Sequence, residues 1–295
     1  MSKSAAKANK KHKDSVFSSY LGEPNKLIEI YNAVMNTNYP LDTELEINTL
    51  DDALFKNRQN DISFLLDGRL IVMFEHQSTT SQNLPIRLLM YLSREYEKIV
   101  AEEAIYHEKL VPIPEPLCIV FYNGIDKMPA KWTERLSDAY LSHETGDQLD
   151  LEVTIYNINP GADDDILGKS RALYNYSFLI YKIREYHVEG ITLEDAIIQA
   201  IDYCMSHDIM KEYLKNHASE VRNMLYTEWN QDTALKVRFE EGREDGLEQG
   251  LEQGLDYVVV NLIKEGYDDN VIMAGTKKSL AEIQAIRKRL ESQNQ

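Results

Sequence analysis

Three residues in an otherwise apolar stretch could do chemistry: Asp61, Glu75 and Gln77 in NDISFLLDGRLIVMFEHQ, residues 60–77. The surrounding Ile, Leu, Val and Phe read as strands of a buried sheet. Two carboxylates held near each other repel, and burial raises the cost. A divalent cation relieves both problems. Hard oxygen ligands of this kind suit Mg2+ (or Mn2+), which keeps waters and binds substrate phosphate. A metal so held activates water and stabilises the charge building on a phosphodiester. The spacing is short, however, and polar residues at strand ends are also commonly just solvated.

Whether the acids share a face depends on the turn at Asp67-Gly68, because side chains alternate across a strand. A two-residue loop pairs Asp61 with Phe74 and separates the carboxylates. A three-residue loop, with Gly68 left-handed, is expected to pair Asp61 with Met73. Asp61, Met73, Glu75 and Gln77 then line one face. The other face becomes Ile62, Phe64, Leu66, Leu70, Val72 and Phe74, apolar until His76 at its end. That segregation favours the second register.

The elements that must carry this hairpin follow from periodicity. EPNKLIEIYNAVMNTNYP predicts a helix from about Pro24 to Asn36, with Leu27, Ile28, Tyr31 and Val34 at helical spacing. LEINTL (45–50) is a short strand. Asn83 is placed to cap a long helix opening LPIRLLMY, with proline in its first turn. PLCIVFYNG (116–124) and LDLEVTIYN (149–157) are strands. From about Asp165 the chain reads as helices, near 166–185, 192–206, 208–217 and 219–229. The order helix, strand, hairpin, helix, strand, strand, helices predicts an α/β or α+β core with a helical C-terminal part. Glycines at 242, 246, 250 and 254 fall near one stripe of a helix, beside Leu247, Leu251 and Leu255. A hinge, a marginal helix, a helix–helix contact and a solvated spacer all fit them, and two more helices with a basic end follow.

Composition narrows the function. A net charge of −17 argues against a protein that coats nucleic acid, although positive charge can be local. No apolar run is long enough to span a membrane. MSKSAAKANKKHKD lacks the apolar centre of a secretory signal and reads as a disordered Lys-rich tail. Two distant cysteines, Cys118 and Cys204, suit a reduced cytoplasmic protein and cannot form a zinc knuckle. LGKS (167–170) is no phosphate loop, because Asp163 stands where the motif needs glycine. No GxSxG occurs to supply an acyl-transfer nucleophile.

Asp61 followed by Glu75-His76-Gln77 resembles the PD-(D/E)XK nuclease signature in the form found in the recombination-promoting nucleases (Rpn proteins), also called YhgA-like transposases. EHQSTTSQNLPIRLLMY, VFYNG, LEVTIYNIN, TEWNQDTAL and EGREDGLEQG are similar to the same family, over roughly residues 15 to 260. The resemblance implies a core of helix, three strands, helix and strand, and Mg2+-dependent DNA endonuclease activity. It implies that Asp61 and Glu75 bind the metal, with the backbone carbonyl of His76 as a further ligand. Glu29 matches an acid often found on the first helix. Gln77 stands where the superfamily has lysine. Lysine supplies positive charge and orients water, whereas glutamine only orients water.

The expectation is therefore a PD-(D/E)XK nuclease-like α/β core, a central mixed sheet flanked by helices, at residues 15–160. A helical extension (161–235) and a Gly-repeat helical tail (236–295) follow it, and a basic tail (1–14) precedes it. Arg87, Tyr91, Arg94 and Lys98 fall on one face of the helix after the hairpin. Arg87, Arg94 and Lys98 are placed to clamp DNA phosphates, unless they are a solvated face paired with Glu95 and Glu97. The C-terminal helices could join two or more copies. The alternative to an enzyme is a catalytically inactive, oligomerising module on the same fold.

Overall fold

The computed structural model describes residues 15–47, 61–144, 146, 148–162, 164–188 and 190–293. The basic tail (1–14), the end of the LEINTL strand (48–50) and Asp163 lie outside the described residues. The chain divides into two compact units, Met1–Trp229 and Asn230–Gln295.

The first unit opens with α1 (Val16–Leu21), capped by the Ser15 hydroxyl, which accepts from Ser18 N–H at 3.0 Å. This helix is too short for periodicity to reveal it. Helix α2 (Pro24–Met35) starts on proline, buries Leu27, Ile28, Ile30 and Tyr31, and ends where Asn36 turns left-handed at φ 53°. Then come β1 (Leu45–Ile47), β2 (Ile62–Leu66), β3 (Leu70–Gln77), α3 (Leu84–Ile99), β4 (Glu115–Tyr122), β5 (Lys131–Arg135) and β6 (Glu152–Asn157). They form a six-stranded mixed sheet in the order β1-β2-β3-β4-β6-β5. Strands β1 to β3 are antiparallel, β3, β4 and β6 run parallel, and β5 returns antiparallel on β6. The charged strand KWTER, β5, was not expected. It lies at the sheet edge, where charge is tolerated.

The hairpin corrects the expected register. Asp67 and Gly68 both take positive φ, 52° and 65°. A three-residue connection, residues 67–69, sets Leu66 opposite Leu70 and Ile62 opposite Phe74. Counting back one pair sets Asp61 opposite Glu75, not Met73. The parity is unchanged, so the two faces keep their predicted membership.

Each face of the sheet has its own core. Ile62, Phe64, Leu66, Val72 and Phe74 pack with α1, α2 and later helices. Ile71 and Met73 pack with Leu88, Tyr91 and Leu92 of α3 and with Val120, Tyr122 and Ile155. Covering on both faces explains why β3 reads as a continuous apolar run.

The helix expected at 166–185 breaks at Ser170 into α4 (Asp164–Lys169) and α5 (Arg171–Tyr186). Ser170 caps α5 through Leu173 N–H at 3.1 Å. Asn83 precedes α3 but its side chain makes no capping bond. Thr192 does cap α6 (Leu193–Ser206), through Asp195 N–H. The helices expected at 208–217 and 219–229 are one, α7 (Lys211–Lys264).

In the second unit, α8 (Asp269–Thr276) and α9 (Leu280–Gln293) share a small core of Val259, Ile272, Ile283 and Ile286 with the end of α7. A Cβ built on Gly242, Gly246, Gly250 or Gly254 meets nothing within 4 Å. Leu247 and Leu251 beside them are exposed. Among the described residues no helix is long and apolar enough to cross a membrane.

Candidate active site

The two hairpin acids sit face to face. Asp61 N–H points at Glu75 Oε2 at 3.4 Å, and His76 N–H donates to Asp61 Oδ2 at 2.6 Å. Glu75 is 5% exposed. Burial, then the Asp61 charge, pushes its carboxyl up to about 8. Burial pushes Asp61 up to about 6, opposed by the His76 N–H and the Arg87 charge. Gln77, the last residue of β3, is half-buried.

Helix α3 brings its charges onto this face. Arg87 Nη2 meets Glu75 Oε1 at 3.0 Å. Two turns further on, Glu95 is 1% exposed and accepts from Ser63 Oγ at 3.4 Å and from Lys98 Nζ at 3.1 Å. Tyr91 is buried between them. Of the cations expected to clamp phosphates, Arg87 and Lys98 are thus held by carboxylates, and Arg94 is half-buried. The alternative reading paired these cations with Glu95 and Glu97 on a solvated face; Lys98 does pair with Glu95, but Glu95 is buried. Its burial follows from the i, i+4 relation to Tyr91, which points it at the sheet.

The other motifs meet at the C-terminal ends of the parallel strands. Asn123 of VFYNG donates its N–H to the Gln77 carbonyl at 3.0 Å. A Cβ on Gly124 would collide with the Ser78 carbonyl and the Tyr122 ring, so this position requires glycine. Asn159 of LEVTIYNIN donates to the Gly124 carbonyl at 3.0 Å and accepts from Arg184 Nη1 at 3.0 Å. Arg184 also donates to the Asn123 carbonyl and lies over Trp229 of TEWNQDTAL. Glu228 of that motif accepts Val16 N–H at 3.0 Å. His76, on the opposite face from the acids, stacks on Phe17 and meets Tyr176 Oη at 3.1 Å through Nε2. Tyr176 and Arg184, both on α5, were missed. Nothing in their helical spacing separates them from ordinary core and surface positions.

Glu29 is not brought to the acid pair. Its Oε1 accepts from Ser170 Oγ and from Ala172 N–H, both at 2.8 Å, at the N-terminus of α5. There a carboxylate satisfies orphan N–H groups and faces the positive end of the helix dipole. Among the described residues no group of three or more His, Cys, Asp or Glu side chains is placed to hold a metal. The acid pair stands as two side chains.

An α/β fold whose mixed sheet carries a largely buried acid pair at a hairpin end is the class that the fold and site define. The chain belongs to the family described as "Putative transposase, YhgA-like", whose model matches residues 12–231. No curated protein and no solved structure matches it.

Proposed function

We propose that the chain is a metal-dependent DNA endonuclease with a PD-(D/E)XK-type core, working in recombination, mobile-element movement or defence against foreign DNA. The observation that carries this reading is the pairing of Asp61 with Glu75 across the hairpin, with Glu75 Oε2 beside the Asp61 N–H and Asp61 Oδ2 accepting the His76 N–H. The element order α2, β1, β2, β3, α3, β4 supports it. So does membership of a family described as transposases, because moving a DNA segment requires cutting phosphodiesters.

The donor set fits a hard divalent cation. The buried Glu75 carboxylate faces the half-buried Asp61, one oxygen of Asp61 is fixed by the His76 N–H, and one cation partly offsets their charge. Such a surplus of oxygen donors suits Mg2+ or Mn2+. Asp61, Glu75 and the His76 backbone carbonyl would hold it. When bound, the ion supplies an acidified water and stabilises charge on the phosphate. Gln77 follows two positions after Glu75 on the same face and would orient that water through its side-chain amide. Arg94 and Lys98 lie further along α3 and would meet the DNA backbone, Lys98 by exchanging Glu95 for phosphate. Glu29 has no part in this set.

A second reading has its own support. Arg87 already neutralises part of the acid pair, and Gln77 carries no charge. Both suit an inactive interaction module that keeps the fold alone. Plasmid nicking by the full chain, in Mg2+ or EDTA, with wild type beside Glu75→Ala, separates the two. Metal-dependent nicking lost in the variant supports the nuclease. Equal residual nicking in both proteins contradicts it and leaves the inactive module.

A further inference from the structure

We infer that Arg87 is a catalytic residue of this site, the cation that contacts the scissile phosphate, and that its ion pair with Glu75 is the resting form. This rests on the nuclease reading above.

The need for such a group is set by the sequence. The acid pair is followed by Gln77, which cannot offset charge on a phosphate in the transition state. Arg87 enters the same face from the first turn of α3, a few residues beyond β3. Its base is fixed, because Leu84, Pro85 and Leu88 around it are buried. Its side chain is 32% exposed where that of Glu75 is 7% exposed. The guanidinium is therefore more open to solvent than the carboxylate it pairs with, and within reach of a phosphate arriving from solvent.

Its hydrogen bonding is incomplete. Nη2 is spent on Glu75, whereas Nε is buried with no hydrogen-bond partner among the described residues. A guanidinium offers parallel donors matched to two oxygens of one phosphate. A single carboxylate oxygen uses only part of that fork. A Glu75 engaged with a cation has less charge to offer Arg87, which leaves the fork to the phosphate. In the reaction, water adds to phosphorus, the bond from phosphorus to the sugar oxygen breaks, and the proton of water passes through solvent to the leaving oxygen. Arg87 exchanges no proton, because its guanidinium stays charged throughout.

The inference predicts two effects of opposite direction. Arg87→Gln removes the competitor for Glu75 and the cation for the phosphate together. In the full chain, Mn2+ binding followed by titration calorimetry should tighten several-fold. Over the same change kcat for plasmid nicking should fall about 10²- to 10³-fold, as on loss of one transition-state donor, with KM changed less than threefold. Arg87→Lys keeps the charge without the fork and should recover part of kcat. Thermal melts in EDTA establish that each variant is folded. If Arg87→Gln does not fold, the same comparison is made on Arg87→Lys, whose kcat should still lie below wild type. Nicking within threefold of wild type overturns the inference. So does a parallel loss of Mn2+ affinity and kcat, which marks a structural role. A wild type that neither binds Mn2+ nor nicks DNA overturns the nuclease reading itself.

Discussion

Glu75 faces Asp61 at a buried hairpin end, and its carboxyl is raised from 4.5 to about 8. Asp61 is raised in the same direction. Between those values the folded chain holds protons that the unfolded chain has already released. Stability contributed by these groups is therefore greatest at low pH and falls as pH rises from about 4.5 to 8. In EDTA, the melting temperature of wild type should decline across that window, and Glu75→Gln should flatten the decline. A flat wild-type profile would contradict the burial of the pair. Saturating Mg2+ should restore most of the loss at pH 8 if the acids hold a cation. The identities of the acids were readable from strand alternation alone. Their direct opposition was not, because it depends on counting Arg69 within the turn. The partner of Arg87 was also hidden. Helical spacing states which residues share a face of α3 but not which atom of β3 that face meets.

Among the elements, α5 bears most on the site. It supplies Tyr176 against His76 and Arg184 against the ends of β4 and β6. Its start depends on Glu29 and Ser170. Glu29→Ala should cost about 1–2 kcal/mol in urea unfolding, the usual value of a helix cap with a charge-assisted bond. Mn2+ affinity should stay at the wild-type value, whereas a metal ligand would lose it. Glu29 was misread because an acid on an early helix suits a ligand and a cap equally well. What decides between them is the break at Ser170, which exposes the N–H groups of a new helix. Continuous helical periodicity from 166 to 185 concealed that break. The edge strand β5 escaped for a related reason, since its charged residues carry none of the apolar signal that marked the central strands.

In the molecule as a whole, the sheet unit and the Gly-repeat unit answer to different constraints. Among the described residues, the buried members of both cores of the first unit end at Leu225, with Trp229 packed against them. In the second, the glycines of α7 have open space where a side chain would go. Among the described residues nothing requires glycine there, and each costs a helix about 1 kcal/mol relative to alanine. Gly246→Ala with Gly250→Ala should therefore raise helicity by circular dichroism and delay melting of this unit. A double variant that melts earlier would show that the glycines are required for a contact. The glycine period was plain in the sequence, but its openness was not, since spacing cannot say what lies beside a helix. The hairpin has a further consequence, for the order in which the chain is made. Both acids and Arg87 emerge from the ribosome close together, but Tyr176, which covers the opposite face at His76, comes 100 residues after it. At a synthesis rate of about 5–20 residues per second, the hairpin waits about 5–20 s for that cover. Until α5 arrives the His76 face of the hairpin stays open to water, so the nascent protein has its charges in place before the core behind them closes.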